Sequence, residues 1–220
     1  MPRIIGAAFS TLDGVIQGPG GPSEDTTGGF RFSGWLPPVG DDAIHEKIGE
    51  LFGRPFDLLL GRRTYDIFAA YWPYAPDEMG EIRDPFDKCT KYVVTHRDDA
   101  LEWQNSRKVT IEDLRAIKQG DGPDIVIQGS STLYPQLLEA GLLDQLTLMI
   151  SPIVLGTGKR LFGEGTPPRT LKMTSHKVSN TGSIIATFEP AGPVEIGTYV
   201  TTPPSEREEA RQAAMAEGSW

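Results

Sequence analysis

Apolar residues along this chain fall into two spacings, short continuous runs and helical stripes, and the two alternate. Arg3–Phe9 (RIIGAAF) reads as a buried first strand, and Phe56–Gly61 (FDLLLG) is too short for an ordinary helix and suits a central strand. Further strand-like runs lie at 91–95 (KYVVT), within 143–156, at 170–178 and at 182–190. Between them, Ile44, Ile48 and Leu51 predict a helix over 41–52; Asp41 or Asp42 can cap it, and Gly53 and Pro55 stop it. Residues 64–72 begin as a helix that breaks near Pro73 and Pro76, and Ile111, Leu114 and Ile117 mark another over 110–120. The stretch 124–141 reads as strand, glycine, helix. This alternation predicts an α/β fold, and the strand-rich final third makes the sheet mixed.

Two regions lack such periodicity. Residues 17–40 are rich in glycine and proline, yet contain Phe30, Phe32, Trp35 and Leu36. A solvated linker needs few large apolar groups, so the stretch reads as a functional loop over a pocket or as partly disordered. Residues 203–220 form a polar, helix-forming tail that either packs on a partner subunit, giving a homodimer, or frays. The expected organisation is one domain over 1–190 and an extension over 191–220.

Composition narrows the function classes. The chain has 220 residues and a net charge of -9, which argues against a nucleic-acid surface while leaving room for a local basic pocket. No apolar run approaches membrane-spanning length, and with no secretory leader pattern the expected location is cytoplasmic. One cysteine, Cys89, and three scattered histidines offer no metal-ligand spacing. Cys89 has no evident base beside it, His176 reads as structural, and Glu102 and Trp103 read as a surface loop.

Against that acidic background, three predicted strands end in polar turns: Gly61-Arg62-Arg63-Thr64, Thr95-His96-Arg97 and Gly129-Ser130-Ser131-Thr132. Glycine lets backbone approach a bulky anion, the free amides of a helix start bind phosphate oxygens, and arginine offers a planar fork of donors. Two basic turns suit a ligand with a terminal phosphate as well as a pyrophosphate, as in NADPH. Taken singly, the Gly61 turn reads equally well as a strand end with a solvated basic pair and an ordinary cap, and Gly129-Ser130-Ser131 is a weaker signal still because glycine and serine are common in turns. Neither a GxGxxG nor a GxxxxGK[ST] spacing is present. The segment 156–163 (GTGKRLFG) reads as a hairpin turn at the pocket's edge.

Taken together, STLDG near the first strand, LLLGRRTYDIFAAYWP, KYVVTHR, VIQGSSTLYPQLLEAGLLDQL and SPIVLGTGKRLF resemble the bacterial dihydrofolate-reductase-like proteins. The resemblance, over roughly residues 2–189, is to those related to the C-terminal reductase domain of the riboflavin biosynthesis bifunctional enzyme. It implies a dihydrofolate-reductase-like α/β fold with a mixed, mostly parallel sheet and an NADPH site across the strand ends. By that resemblance Arg62, Arg63 and Thr64, after Gly61, lie near the adenosine phosphate, and Thr95, His96 and Arg97 hold the adenine-ribose side. Gly129, Ser130, Ser131, Thr132 and Leu133 cradle the pyrophosphate, and Ala8, Val15 and Ile16 approach the nicotinamide. Trp35 takes a substrate-side position. Asp13 matches an acidic residue near the bound pyrimidine, against an alternative reading as an Asp-Gly turn; Asp42 and His45 are the nearest ionisable residues on the first helix. The expectation is an NADPH-dependent reductase of a small pyrimidine- or pterin-like substrate, similar to 5-amino-6-(5-phosphoribosylamino)uracil reductase. The alternative is a nucleotide-binding protein that keeps the fold without catalysis.

Overall fold

Strand-forming runs that are apolar on both faces need cover on both sides, and the chain supplies it with helices above and below one sheet. The computed structural model describes residues 1–219, so Trp220, the last position of the extension, lies outside them. The strands are β1 (Ile4–Thr11), β2 (Phe56–Gly61), β3 (Lys91–Val94), β4 (Ser106–Val109), β5 (Asp124–Gln128), β6 (Gln145–Ser151), β7 (Leu171–Val178) and β8 (Ile184–Pro190). Their order is β4-β3-β2-β5-β1-β6-β8-β7. The ladders from β4 across to β6 are parallel, and β6–β8 and β8–β7 are antiparallel, so the sheet is mixed and mostly parallel.

The helices are α1 (Asp42–Phe52), α2 (Arg62–Tyr71), α3 (Gly80–Lys88), α4 (Ile111–Lys118), α5 (Leu133–Glu139) and α6 (Glu206–Ala216). Leu59 and Ile127 point to one face of the sheet, where Leu114 of α4 and Leu133, Tyr134, Leu137 and Leu138 of α5 cover them. Leu58, Leu60 and Val126 point to the other, beneath Phe52 of α1, Tyr65 and Phe68 of α2 and Phe86 of α3. Phe86 stands at the centre of an edge-to-face cluster, its ring 5.0 Å from Phe52 and 4.9 Å from Trp72.

Capping explains where two helices begin. Asp41 is the cap of α1, accepting from the amides of Ala43 and Ile44 (3.2 and 3.3 Å), and Thr110 and Asp113 form a reciprocal capping box on α4. Asp41 also accepts from Thr181 in the β7–β8 turn. Hydrogen bonds from Ser179, Thr181 and Ile44 outweigh desolvation and bring its carboxyl down to about 2.

The structure corrects the sequence reading in three places. β4 (SRKV) is an edge strand with one apolar residue, and α3 contains Pro85, so neither pattern announces itself. Trp103 is buried, not on the surface: its amide donates to the Tyr65 hydroxyl (2.8 Å), its indole donates to Asp87 (2.7 Å), and the buried Lys91 ammonium sits 4.3 Å over the ring.

Candidate functional site

The helix after β2 packs on one face of the sheet and the helix after β5 on the other, although the two strands are neighbours. Chains that leave adjacent strand ends in opposite directions open a crevice there, the usual place for ligands in open α/β sheets. In this crevice lies a cleft of about 100 Å³ lined by Gly61–Thr64, Ser130–Thr132, Ile16 to Gly18 of the glycine-rich loop, and Ile67 and Phe68 of α2. That volume suits one end of a ligand. A wider groove of about 640 Å³ lies at the opposite end of the sheet among Arg3, Lys47, Arg54 and Thr147. It contains none of the glycine turns, so the smaller cleft is the better chemical candidate.

The two turns bounding the cleft are tied together. Ser130 Oγ accepts from the Gly61 amide (2.8 Å) and donates to Thr64 Oγ1 (2.9 Å). For this its backbone adopts φ 57°, directly after Gly129 at φ 72°. A left-handed serine costs energy, and such strain clusters at binding sites. Helix α2 starts with no side-chain cap, so its first amides are free for an anion.

The basic pair divides into two roles. Arg62 is engaged by Asp66 (2.7 Å) and Asp99 (2.6 Å), and Arg97 joins the same two carboxylates (3.4 and 2.8 Å). These aspartates raise the Arg62 guanidinium above its ordinary range, Asp66 most strongly. One Arg62 nitrogen, Nη1, is buried without a hydrogen-bond partner. Arg63 is exposed at the rim. The uncapped helix start and the exposed Arg63 together fit a phosphate-bearing ligand.

The remaining sequence-predicted residues are spread more widely. Ile16 lines the cleft, whereas Ala8 and Val15 are buried in the core behind it. Thr95 and His96 follow β3, His96 exposed, and Arg97 connects that turn to α2 through the aspartates. Leu133 is buried at the start of α5. Trp35 is buried, donates to the Gln17 carbonyl (2.9 Å), and packs with Val15 and Phe30. Asp42 and His45 are exposed on α1 and do not line the cleft.

Asp13 sits in the turn after β1 and is fully engaged. It accepts from Thr11 Oγ1 (2.6 Å) and from the amides of Leu155 (3.2 Å) and Gly156 (2.8 Å), the Thr11 bond first among the effects that hold its carboxyl below the usual range. Gly156 belongs to the GTGKR turn, so Asp13 fastens that turn to β1. Lys159 of the same turn lines the cleft.

Sequence reasoning missed the two acids that do line the cleft, Glu24 and Asp25. Glu24 accepts from the amides of Gly20 (2.5 Å) and Gly21 (3.2 Å), and desolvation raises its carboxyl above the ordinary 4.5 despite those bonds. Its neighbour Asp25 goes the other way: bonds from Lys159 Nζ (2.6 Å) and Thr27 outweigh burial and lower it. Nothing in the local sequence PSED separates the two; the difference is the lysine brought by a distant turn. Burial pushes the Cys89 thiol up to about 12, so it is a poor nucleophile. No described group of three or more His, Cys, Asp or Glu could hold a metal ion. Among the described residues no helix is long and apolar enough to cross a membrane.

Comparison with known proteins places the fold. The uncharacterized Bacillus subtilis (strain 168) protein YyaP is 26% identical over 186 residues, covering 83% of this chain and 92% of that protein. A Shewanella sp. PV-4 structure named for riboflavin biosynthesis superposes with a TM-score of 0.65 at 19% identity, covering 86% of this chain and 99% of the other. Enterococcus faecalis dihydrofolate reductase, complexed with NADP(H), superposes with a TM-score of 0.55 at 17% identity, covering 86% and 96%. At those identities the two structures establish the dihydrofolate-reductase-like fold. The family model described as "RibD C-terminal domain" matches residues 2–186, and the chain belongs to that family.

Proposed function

We propose that this protein is an NADPH-dependent reductase of a small planar heterocycle of the pyrimidine or pterin kind, working in the cytoplasm. The observation that carries the reading is the pair of strand-end turns locked by Ser130 across the crevice, with an uncapped helix start and the exposed Arg63 at its rim. The reductase-fold relatives support it.

When bound, NADPH supplies the hydride. The α2 amides, Arg63 and the Gly129–Leu133 turn would hold its phosphates, with Gly61 allowing close approach. Arg62 would be oriented for this by Asp66 and Asp99. Thr95, His96 and Arg97 would flank the adenosine, and Ile16, backed by Ala8 and Val15, would border the nicotinamide. Trp35 would shape the substrate side by fixing the loop. Glu24 is the best-placed proton donor, because it lines the cleft and holds its proton to a higher pH than an ordinary glutamate. Asp13, Asp42 and His45 do not line this cleft.

Titration calorimetry with NADPH tests the foundation: absence of saturable binding sinks the reading. Arg63→Ala should weaken NADPH about tenfold and NADH much less, on the order of one charged hydrogen bond. Equal losses would remove Arg63 from the terminal phosphate. Glu24→Gln should lower kcat by about 10²-fold or more, well beyond any change in NADPH affinity. Wild-type activity should fall as pH rises through the Glu24 value, because the donor is then deprotonated; an unchanged profile in Glu24→Gln assigns the proton elsewhere. A second reading, a nucleotide-binding protein without catalysis, draws on the absence of Asp13, Asp42 and His45 from the cleft. NADPH oxidation with any pterin or diaminopyrimidine would count directly against it.

A further inference from the structure

Among the described residues, two β-forming stretches end without partners. The first is β7, the terminal strand of the sheet, whose inner edge pairs with β8 and whose outer edge is open. Every residue from Lys172 to Val178 is exposed. The second is 194–202 (VEIGTYVTT), in which seven of nine residues are β-branched or aromatic strand formers. Val194, Ile196 and Val200 recur at even spacing, the period of a strand, yet the segment forms no ladder and these residues are 48%, 93% and 69% exposed. Tyr199 beside them is wholly exposed. A bare strand edge and a bare strand sequence in one molecule are two halves of one interaction.

Charge points to the same match. β7 and the two residues that lead to it carry Arg169, Lys172, His176 and Lys177 and no acid. Lys177 is occupied by Glu46, but Arg169 and Lys172 have no carboxylate partner among the described residues. The extension from 191 onward carries Glu195, Glu206, Glu208, Glu209 and Glu217 against Arg207 and Arg211. The lysines and the β-bulge at Met173/Ser175 discourage promiscuous pairing of this edge, while a strand with one acid and no base, as 194–202 is, would still be accepted.

The start of the arm decides between pairing within one chain and between two. Thr170 donates its amide to the Gly192 carbonyl (2.9 Å) and its hydroxyl to Pro193 (2.7 Å), and accepts from the Ala191 amide (2.8 Å). These bonds hold the arm's root on the β8 side of the chain entering β7. To reach its own outer edge the arm would have to cross that chain. A second copy related by a two-fold axis meets no such obstacle, and the exchange is then reciprocal. The geometry points to a homodimer in which residues 194–202 of each copy add as a ninth strand to the open edge of β7 in the other. The arm lies beyond the family match at 2–186, so the device belongs to this chain's extension. It does not rest on the reductase reading.

The test uses the full chain. Light scattering at tens of micromolar should give twice the 24.0 kDa chain mass, and the double substitution Ile196→Asp with Val200→Asp should return it to 24.0 kDa with an unchanged circular dichroism spectrum. The single native cysteine is buried, so engineered thiols report cleanly. Ser175→Cys protein mixed with Ile196→Cys, Thr198→Cys or Val200→Cys protein, and oxidised, should form a disulfide-linked heterodimer for at least one of the three registers. A monomeric mass at all concentrations overturns the proposal. So does a dimer that survives the double substitution, and so does a disulfide that forms only within one chain when both cysteines are placed together.

Discussion

The glycine-rich loop over 17–40 and the arm over 191–202 both lie largely outside the helices and strands and both carry large apolar side chains, yet the loop is anchored and the arm is bare. The loop buries Phe30 and Trp35 against Val15, forming a small core of its own beside the sheet. Its polar groups are consumed internally. Gln17 donates to Asp25 and Thr27, and Asp25 receives Lys159, so the loop is stitched to the GTGKR turn. The arm has a fastened root at Thr170, then, among the described residues, no burial and no partner for Ile196 or Tyr199. Apolar content therefore does not order an irregular segment; a place to bury it and partners for its backbone do.

The comparison breaks most violently at Asp25. Its side chain is 7% exposed and that of Lys159 is 32%, so Asp25→Ala leaves a half-buried ammonium facing lost partners. The expected cost is about 3 kcal/mol, the low end for breaking a buried pair because the lysine retains some water. Urea denaturation should show it, together with loss of NADPH binding as the loop detaches. The pH direction follows from the lowered carboxyl: the Asp25 contribution is complete above its ordinary 3.8 and fades as pH falls through the still lower folded value. Wild type should therefore lose more stability on acidification than Asp25→Ala does. Parallel acid curves would show that the stitch contributes little.

Gly158→Ala attacks the same seam more gently. Gly158 has φ 116°, and a Cβ there would stand 2.7 Å from Val15 Cγ1 and 2.8 Å from Phe30 Cε2. Backbone strain and the clash together should cost about 2 kcal/mol, visible as a lower urea midpoint with an unchanged slope. A variant as stable as wild type would mean that the loop yields to the extra methyl, contrary to a packed satellite core.

Much of this architecture was legible in the sequence. The strand-end turns could be read because apolar runs, glycine and polar caps sit next to one another in the chain, and Leu58–Leu60 followed by Gly61 needs no tertiary information. β4 and α3 were hidden because an edge strand with one buried residue and a helix containing Pro85 satisfy themselves through neighbours. Trp103 was misread for the same reason: its partners Tyr65, Asp87 and Lys91 are brought by three other elements. At the site, the Arg62-Arg63 pair looked like two equivalent phosphate ligands. Asp66 lies one helical turn away and was open to inspection, but Asp99 reaches Arg62 only through the fold. Glu24 shows the sharper limit, since a raised carboxyl depends on what buries it, and spacing does not record burial.

The smallest expected effect falls on the arm and sharpens the contrast. Measured at sub-micromolar concentration, where an arm-exchanged dimer dissociates, Ile196→Asp should change the unfolding free energy by less than about 0.5 kcal/mol, as expected for an exposed position. The same substitution at tens of micromolar should lower the apparent melting temperature, because a dimer lends stability by mass action only while it is populated. Concentration dependence in wild type, absent from the variant, would separate the two contributions in one pair of melts. A loss of stability that is equal at both concentrations would mean that Ile196 packs within its own chain, and that the arm, like the loop, has an anchor of its own.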